Sequence, residues 1–257
     1  MPYAHVNAAS LYYEQYGGGD DVVFLHGAGG NHLSWFQQVP AFAARYRVTL
    51  FDARGWGLSR GEPAGRYVFG TDLVALLGHL GIERAHVVAQ SMGGRAVAGL
   101  ARLAPERIRS LVLCGTTAGA TNDRIRALQD ALADERGDGS LREHALAPGF
   151  EEAHPELATL YRQIAALNPP RRRGLLGRPP PTYRGSMHHT LAGTGAPILF
   201  VVGEHDRITS PAMIREASSL IPGSEVVEFD GAGHSAYFEQ AARFNATVLD
   251  FLARSRS

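Results

Sequence analysis

A serine, an aspartate and a histidine, far apart in the chain, each stand just after a run of apolar residues. The serine is Ser91, in Val87-Val88-Ala89-Gln90-Ser91-Met92-Gly93-Gly94. An apolar strand pattern leads into it and a helical pattern follows at once. A serine on so sharp a strand-to-helix turn needs small residues two before and two after it. Here they are Ala89 and Gly93, an alanine standing where a glycine is usual. Such a turn presents the hydroxyl as a nucleophile once a base takes its proton; the plainer role for a serine there is a helix cap. Ile198–Val202 runs into Gly203-Glu204-His205-Asp206, and Val226–Phe229 runs into Asp230-Gly231-Ala232-Gly233-His234. Ser91, Asp206 and His234 together suit nucleophilic catalysis. His234 would be the base, and Asp206 the acid that fixes its tautomer. Asp206 is preferred to Glu204 and Asp230 because it lies furthest along the loop after its strand.

A fourth segment supplies donors for negative charge. Val22–Leu25 ends in His26-Gly27-Ala28-Gly29-Gly30, where glycines let backbone N–H groups turn towards a ligand. The backbone N–H groups of Ala28 and Met92 are the predicted oxyanion donors. A phosphate-cradling loop is the alternative, but it lacks Lys-Ser/Thr and the dinucleotide-binding glycine spacing.

The elements that must hold these residues are legible as apolar runs. Tyr3–Val6 and Leu11–Tyr16 read as opening strands. Val22–Leu25, Val48–Phe51, His86–Ala89, Ser110–Leu113, Ile198–Val202 and Val226–Phe229 read as strands buried on both faces. Helical periodicity fills Leu33–Arg45, Tyr67–Leu80, Met92–Leu103, Pro211–Ile221 and Ser235–Ala253. The alternation predicts a mostly parallel, doubly wound α/β sheet. It stops after Cys114 and resumes near Pro197. Residues 118–195 therefore read as a helical lid inserted after the sixth strand, on a core of 1–117 and 196–257. Helices are expected there at Asp123–Glu135, Ser140–Leu146 and Glu156–Leu167, then a loop over Pro169–Pro181.

Composition removes several function classes. The 25 basic residues, all arginine, balance 25 acidic ones, so no basic excess suits nucleic acid. A lysine nucleophile or Schiff base is excluded. The lone Cys114 permits no internal disulfide. Neither a signal peptide nor a spanning apolar run is apparent, so a cytoplasmic protein acting on a small molecule, away from membranes, is the expectation.

Along nearly its whole length the chain resembles the α/β-hydrolase superfamily. The matching pieces are HGAGG at 26–30, DARGWGLS at 52–59, AQSMGG at 89–94, VVGEHD at 201–206 and GAGHS at 231–235. It is most similar to small carboxylic-ester hydrolases and 3-oxoadipate enol-lactonase-like hydrolases. The resemblance implies an α/β-hydrolase fold, a Ser91–His234–Asp206 triad, ester or enol-lactone cleavage, and no metal or organic cofactor. It also implies that Asp52 serves a structural turn. Carbon–carbon hydrolases of vinylogous diketones, perhydrolase or haloperoxidase-like enzymes, and a non-catalytic ligand receptor share the fold. Carbon–carbon hydrolases typically carry tryptophan directly after the histidine, where this chain has Ser235.

Other residues have two readings each. Arg95 could anchor a substrate carboxylate or form a structural ion pair. His26, Trp35, Trp56 and Tyr237 could line a pocket or pack in the core. His188-His189 would be surface or pocket-lining, since neighbours do not share a helix face and no third ligand stands nearby. Arg171–Arg173 could meet a substrate anion or be a solvated surface run.

Overall fold

The computed structural model describes residues 2–61, 68–136, 140–170 and 186–255. Its eight strands are β1 (Tyr3–Val6), β2 (Ala9–Gly17), β3 (Asp20–Leu25), β4 (Tyr46–Phe51), β5 (Ala85–Gln90), β6 (Ile108–Cys114), β7 (Ile198–Gly203) and β8 (Glu225–Phe229). Each contains one of the predicted runs. They form one sheet in the order β1-β2-β4-β3-β5-β6-β7-β8. The β1–β2 and β2–β4 pairs are antiparallel and every later pair is parallel. Chain order reverses between β3 and β5, whose ends align at Leu25 and Ala89. Open α/β sheets bind ligands at such a switch point, and both the glycine-rich turn and Ser91 follow these two strands.

The helices are α1 (Val39–Ala43), α2 (Val68–His79), α3 (Gly93–Leu103), α4 (Asp123–Arg136), α5 (Phe150–Ala153), α6 (Pro155–Ala166), α7 (His188–Gly193), α8 (Pro211–Ser219), α9 (Ala236–Glu239) and α10 (Ala241–Arg254). Strand side chains alternate between two cores, as a period of two requires. Val23, Leu25, Val87, Ala89, Leu111 and Leu113 pack with residues of α2, α3 and α8. Val22, Phe24, Val88, Val112 and Val201 pack with Phe42 of α1 and with Phe244, Val248 and Phe251 of α10. Apolar cover on both faces is why these strands read as continuous apolar runs.

Several predicted helices differ. Leu33–Arg45 is not one helix but a 3-10 turn, His32–Trp35, followed by α1. Pro40 in the first turn of α1 has no N–H to give and its ring would strike the carbonyl four residues earlier. Ser235–Ala253 divides into α9 and α10 because Gln240 leaves the helical region at φ −125°, ψ 53°. Ser140–Leu146 reduces to the 3-10 turn Leu141–His144. The short α5 and α7 had no periodicity long enough to read. Between β6 and β7 the described residues thus hold α4, that turn, α5, α6 and α7. Tyr67 and Arg171–Arg173 lie outside the described residues. Among the described residues no helix is long and apolar enough to cross a membrane.

Candidate active site

Ser91 is reached by β5 and left by α3, and the join between them is strained. Its φ is +49°, a left-handed conformation that costs a non-glycine residue about 1–2 kcal/mol. Two bonds hold it: the Ser91 N–H donates to the Cys114 carbonyl (2.9 Å), and the Gly94 N–H donates to the Ser91 carbonyl (3.0 Å). A side chain at Gly93 would fall 2.6 Å from the Leu25 carbonyl oxygen, which explains the small residue required there. Ser91 itself remains half-buried and reachable.

Asp206 and His234 come together beside it. His234 Nδ1 lies 2.8 Å from Asp206 Oδ2, with both side chains almost wholly buried. The other carboxylate oxygen, Oδ1, accepts N–H bonds from Ile208 and Thr209, both 2.8 Å. A carboxylate so held directs the Nδ1 proton towards itself, which leaves Nε2 to take and return a proton. The competing acids sit elsewhere. Glu204 is exposed and accepts from the Gly231 N–H (2.8 Å), and Asp230 is exposed.

Sheet order explains the convergence. Ser91 follows β5, Gly115 follows β6 and Asp206 follows β7, three neighbouring strands. The imidazole, carried on the loop after β8, must therefore cross the end of β6. Gly115 allows this. It has φ +58°, and a side chain there would stand 2.9 Å from His234 Cε1 and Nδ1 and 3.2 Å from Asp206 Oδ2. The Gln90 carboxamide, next to Ser91, donates to the His234 carbonyl (3.3 Å) and ties the two loops together.

The two predicted oxyanion donors are fixed through the other sides of their peptides. A trans peptide points its N–H opposite its C=O. The Gly27 carbonyl accepts from the Gly30 N–H (3.1 Å) and contacts His26 Nδ1 (2.8 Å). His26 Nε2 accepts the Ala53 N–H (2.9 Å), so Nδ1 carries the proton and donates to Gly27. This aims the Ala28 N–H away from both. The Ser91 carbonyl, anchored by Gly94, does the same for Met92 N–H. Trp56 Nε1 then holds the Ala28 carbonyl (2.9 Å). His26 and Trp56 are thus buried supports of this loop, and His26 also lines a small cavity with Phe69, Met92 and Ala96.

The remaining candidates are dispersed. Trp35 and Tyr237 are fully buried and packed against each other, ring centroids 4.6 Å apart and tilted by 43°, in the core under α1 and α10. Arg95 is half-buried on the first turn of α3. His188 opens α7, bonded through Nδ1 to the Ser186 hydroxyl and stacked on His189 at 4.0 Å. Partial burial, then the neighbouring His189, hold its pKa below the usual histidine value. Among the described residues no three His, Cys, Asp or Glu side chains are placed to hold a metal.

Sequence reasoning missed four residues that brace the site. Asn168 donates to the carbonyls of Gly29 (3.3 Å) and Gly30 (3.1 Å) and accepts the Gly57 N–H (2.9 Å). Asn31 donates to the Ile164 carbonyl (2.9 Å), which ties the end of α6 to the glycine-rich turn. Tyr161 of α6 shares a hydrogen bond with the Ser235 hydroxyl (2.8 Å). Glu239 is the fourth. Only Glu239 carried a local signal, as an acid closing the apolar run Ala236-Tyr237-Phe238.

The chain belongs to the alpha/beta hydrolase fold family, which matches residues 21–241. It is 31% identical to a putative non-heme bromoperoxidase, BpoC, of Mycobacterium tuberculosis, across 95% of this chain and 98% of that one. It is also 31% identical to a 2-hydroxy-6-oxononadienedioate/2-hydroxy-6-oxononatrienedioate hydrolase of Pseudomonas putida, across 94% and 91%. The enol-lactonase from Burkholderia xenovorans LB400 superposes with a TM-score of 0.77 at 25% identity, across 98% of this chain and 100% of that one.

Proposed function

We propose that this protein is a serine hydrolase of small carboxylic esters or enol-lactones, working through an acyl-enzyme. His234 Nε2 takes the proton of Ser91 Oγ as that oxygen attacks the acyl carbonyl. Asp206 holds the imidazole tautomer and stabilises the imidazolium. The N–H groups of Ala28 and Met92 receive the developing oxyanion. His234 returns its proton to the departing alcohol or enolate, and water then repeats the sequence to free the acid. Residues 118–195 serve as the cap that shapes the acyl pocket, and the reaction requires neither metal nor organic cofactor.

The observation that carries this reading is the 2.8 Å Asp206–His234 bond beside a serine held in the left-handed region. A likeness to an enol-lactonase over the full chain favours the substrate class. The test is fluorophosphonate labelling with peptide mapping, together with aryl-ester turnover by Ser91→Ala. The adduct is expected on Ser91, and the folded variant should lose nearly all turnover. An adduct elsewhere, or an active variant, removes the assignment.

A further inference from the structure

Glu239 is a half-buried carboxylate that the reaction above does not use. It stands at the end of α9, five residues after His234, and most of its surface is covered. Its oxygens accept the Gly233 N–H (3.1 Å to each) and the Ala147 N–H (2.8 Å). Gly233 directly precedes His234, whereas Ala147 belongs to the segment between the Leu141–His144 turn and α5. The fit is close: a side chain at Gly233 would lie 2.5 Å from Ala147 N.

From this arrangement we infer that Glu239 is a positioning residue for His234, joining the histidine loop to the cap. The inference rests on the triad reading. Two backbone N–H groups converging on one carboxylate, those of Gly233 and Ala147, hold the peptide that leads into His234 against the cap, and so set the approach of the imidazole to Ser91. A small rotation of this peptide would move Nε2 off the hydroxyl, and misplacement by about 1 Å costs on the order of 100-fold in rate. Cap movement at Ala147 would reach His234 through the same carboxylate.

Charge makes the role separable from stability. Burial raises the Glu239 pKa, partly offset by the N–H bonds from Ala147 and Gly233, and Asp206 raises it further. The other titratable groups facing it are Cys114 at the end of β6, Tyr161 on α6 and Tyr237 on α9. A carboxyl whose folded pKa is raised contributes stability below its unfolded pKa and loses it as pH rises through the folded value. Ionisation of the group therefore costs stability. If the residue were purely structural, glutamine, which trades one acceptor oxygen for a donor, would lower stability and leave turnover per folded molecule unchanged.

The test compares wild type with Glu239→Gln at neutral pH, using a fluorophosphonate probe for Ser91 and an aryl ester for turnover. The expected result is a variant that stays folded with a modestly lower Tm, kcat and the Ser91 phosphonylation rate per folded molecule both lowered about tenfold or more, and KM within twofold. The downfield proton signal of His234 Nδ1–H should shift or broaden. The acid side of the wild-type kcat profile should contain a titration that the variant lacks. Rates within twofold of wild type overturn the proposal. If Glu239→Gln does not fold, Glu239→Asp, too short to reach Ala147 and Gly233 together, must show the same loss. Failure of both to fold assigns Glu239 to structure and also overturns the proposal. Absence of wild-type labelling at Ser91 would instead overturn the triad reading itself.

Discussion

Two buried carboxylate–imidazole pairs lie among the described residues at the same end of the sheet, and their bond lengths barely differ. Asp206 and His234 meet at 2.8 Å after β7 and β8. Asp52 and His32 meet at 2.9 Å after β4 and β3. In the second pair both Asp52 oxygens are occupied by local structure. They take His32 Nδ1, the His32 N–H (2.7 Å) and the Leu58 N–H (2.7 Å). The far nitrogen of His32 faces Glu14 at 3.9 Å, and Glu14 already accepts the hydroxyls of Tyr12 and Tyr16. The second imidazole is closed in by acids and phenols, while the first lies over Gly115 at the end of β6, on a loop tied to the residue before Ser91. Pairing a histidine with a carboxylate therefore does not make a site. What the second ring nitrogen faces decides it.

The largest expected effect separates the pairs directly. Asp206→Asn should lower kcat by up to about 10⁴-fold through the wrong tautomer while leaving the protein folded. Asp52→Asn should do the reverse. It disturbs acceptors of buried N–H groups and should cost about 1–3 kcal/mol of stability, read as a shifted denaturation midpoint. Its kcat per folded molecule should stay within threefold. Loss of turnover in Asp52→Asn without loss of stability would make the second pair functional after all.

A smaller effect tests the crossing over β6. Gly115→Ala places a methyl group against His234 and Asp206, and kcat should fall by about 100-fold if the ring is pushed aside by about 1 Å. Gly231 supplies the control. It has a similar positive φ of +70°, yet a side chain there would meet nothing within 4 Å. Gly231→Ala should carry only the backbone strain, about 1 kcal/mol or somewhat more, and keep wild-type kcat. Equal kinetic loss in both variants would mean that strain, and not contact with the pair, is responsible.

The first pair was legible in the sequence and the second was not. The reason is local context. Asp206 and His234 each follow a continuous apolar strand run in the chain order of the fold, so position alone marks them. His32 sits in a 3-10 turn that resembled the first turn of a longer helix, and Asp52 read only as a turn residue. The eight strands were legible because both faces of the sheet are covered. The breaks at Pro40 and Gln240 were not, since the apolar periodicity runs on through them while backbone direction changes. Asn168, Asn31 and Tyr161 act across more than seventy residues of chain, and no spacing rule reports such contacts. The same distance hid what covers Ser235.

The finest distinction concerns what the open side of His234 meets, and therefore the reaction class. Where carbon–carbon hydrolases typically place an indole, Ser235 is buried and its hydroxyl is bonded to Tyr161. Tyr161 in turn packs edge-on against Phe238 at 5.0 Å. A phenol held by two partners covers this position, so the large stacking face an extended dienol would use is not supplied by residue 235. Likeness to the Pseudomonas putida hydrolase argues the other way, since identity there is 31% over nearly the whole chain. Competition between substrates of similar size decides between them. The kcat/KM for an aryl ester or enol-lactone should exceed that for a vinylogous diketone by at least about tenfold, or about 1.4 kcal/mol of transition-state discrimination. Equal or reversed preference would move the protein to carbon–carbon cleavage. It would leave the contrast between the two pairs intact, because both chemistries need the same serine, histidine and aspartate.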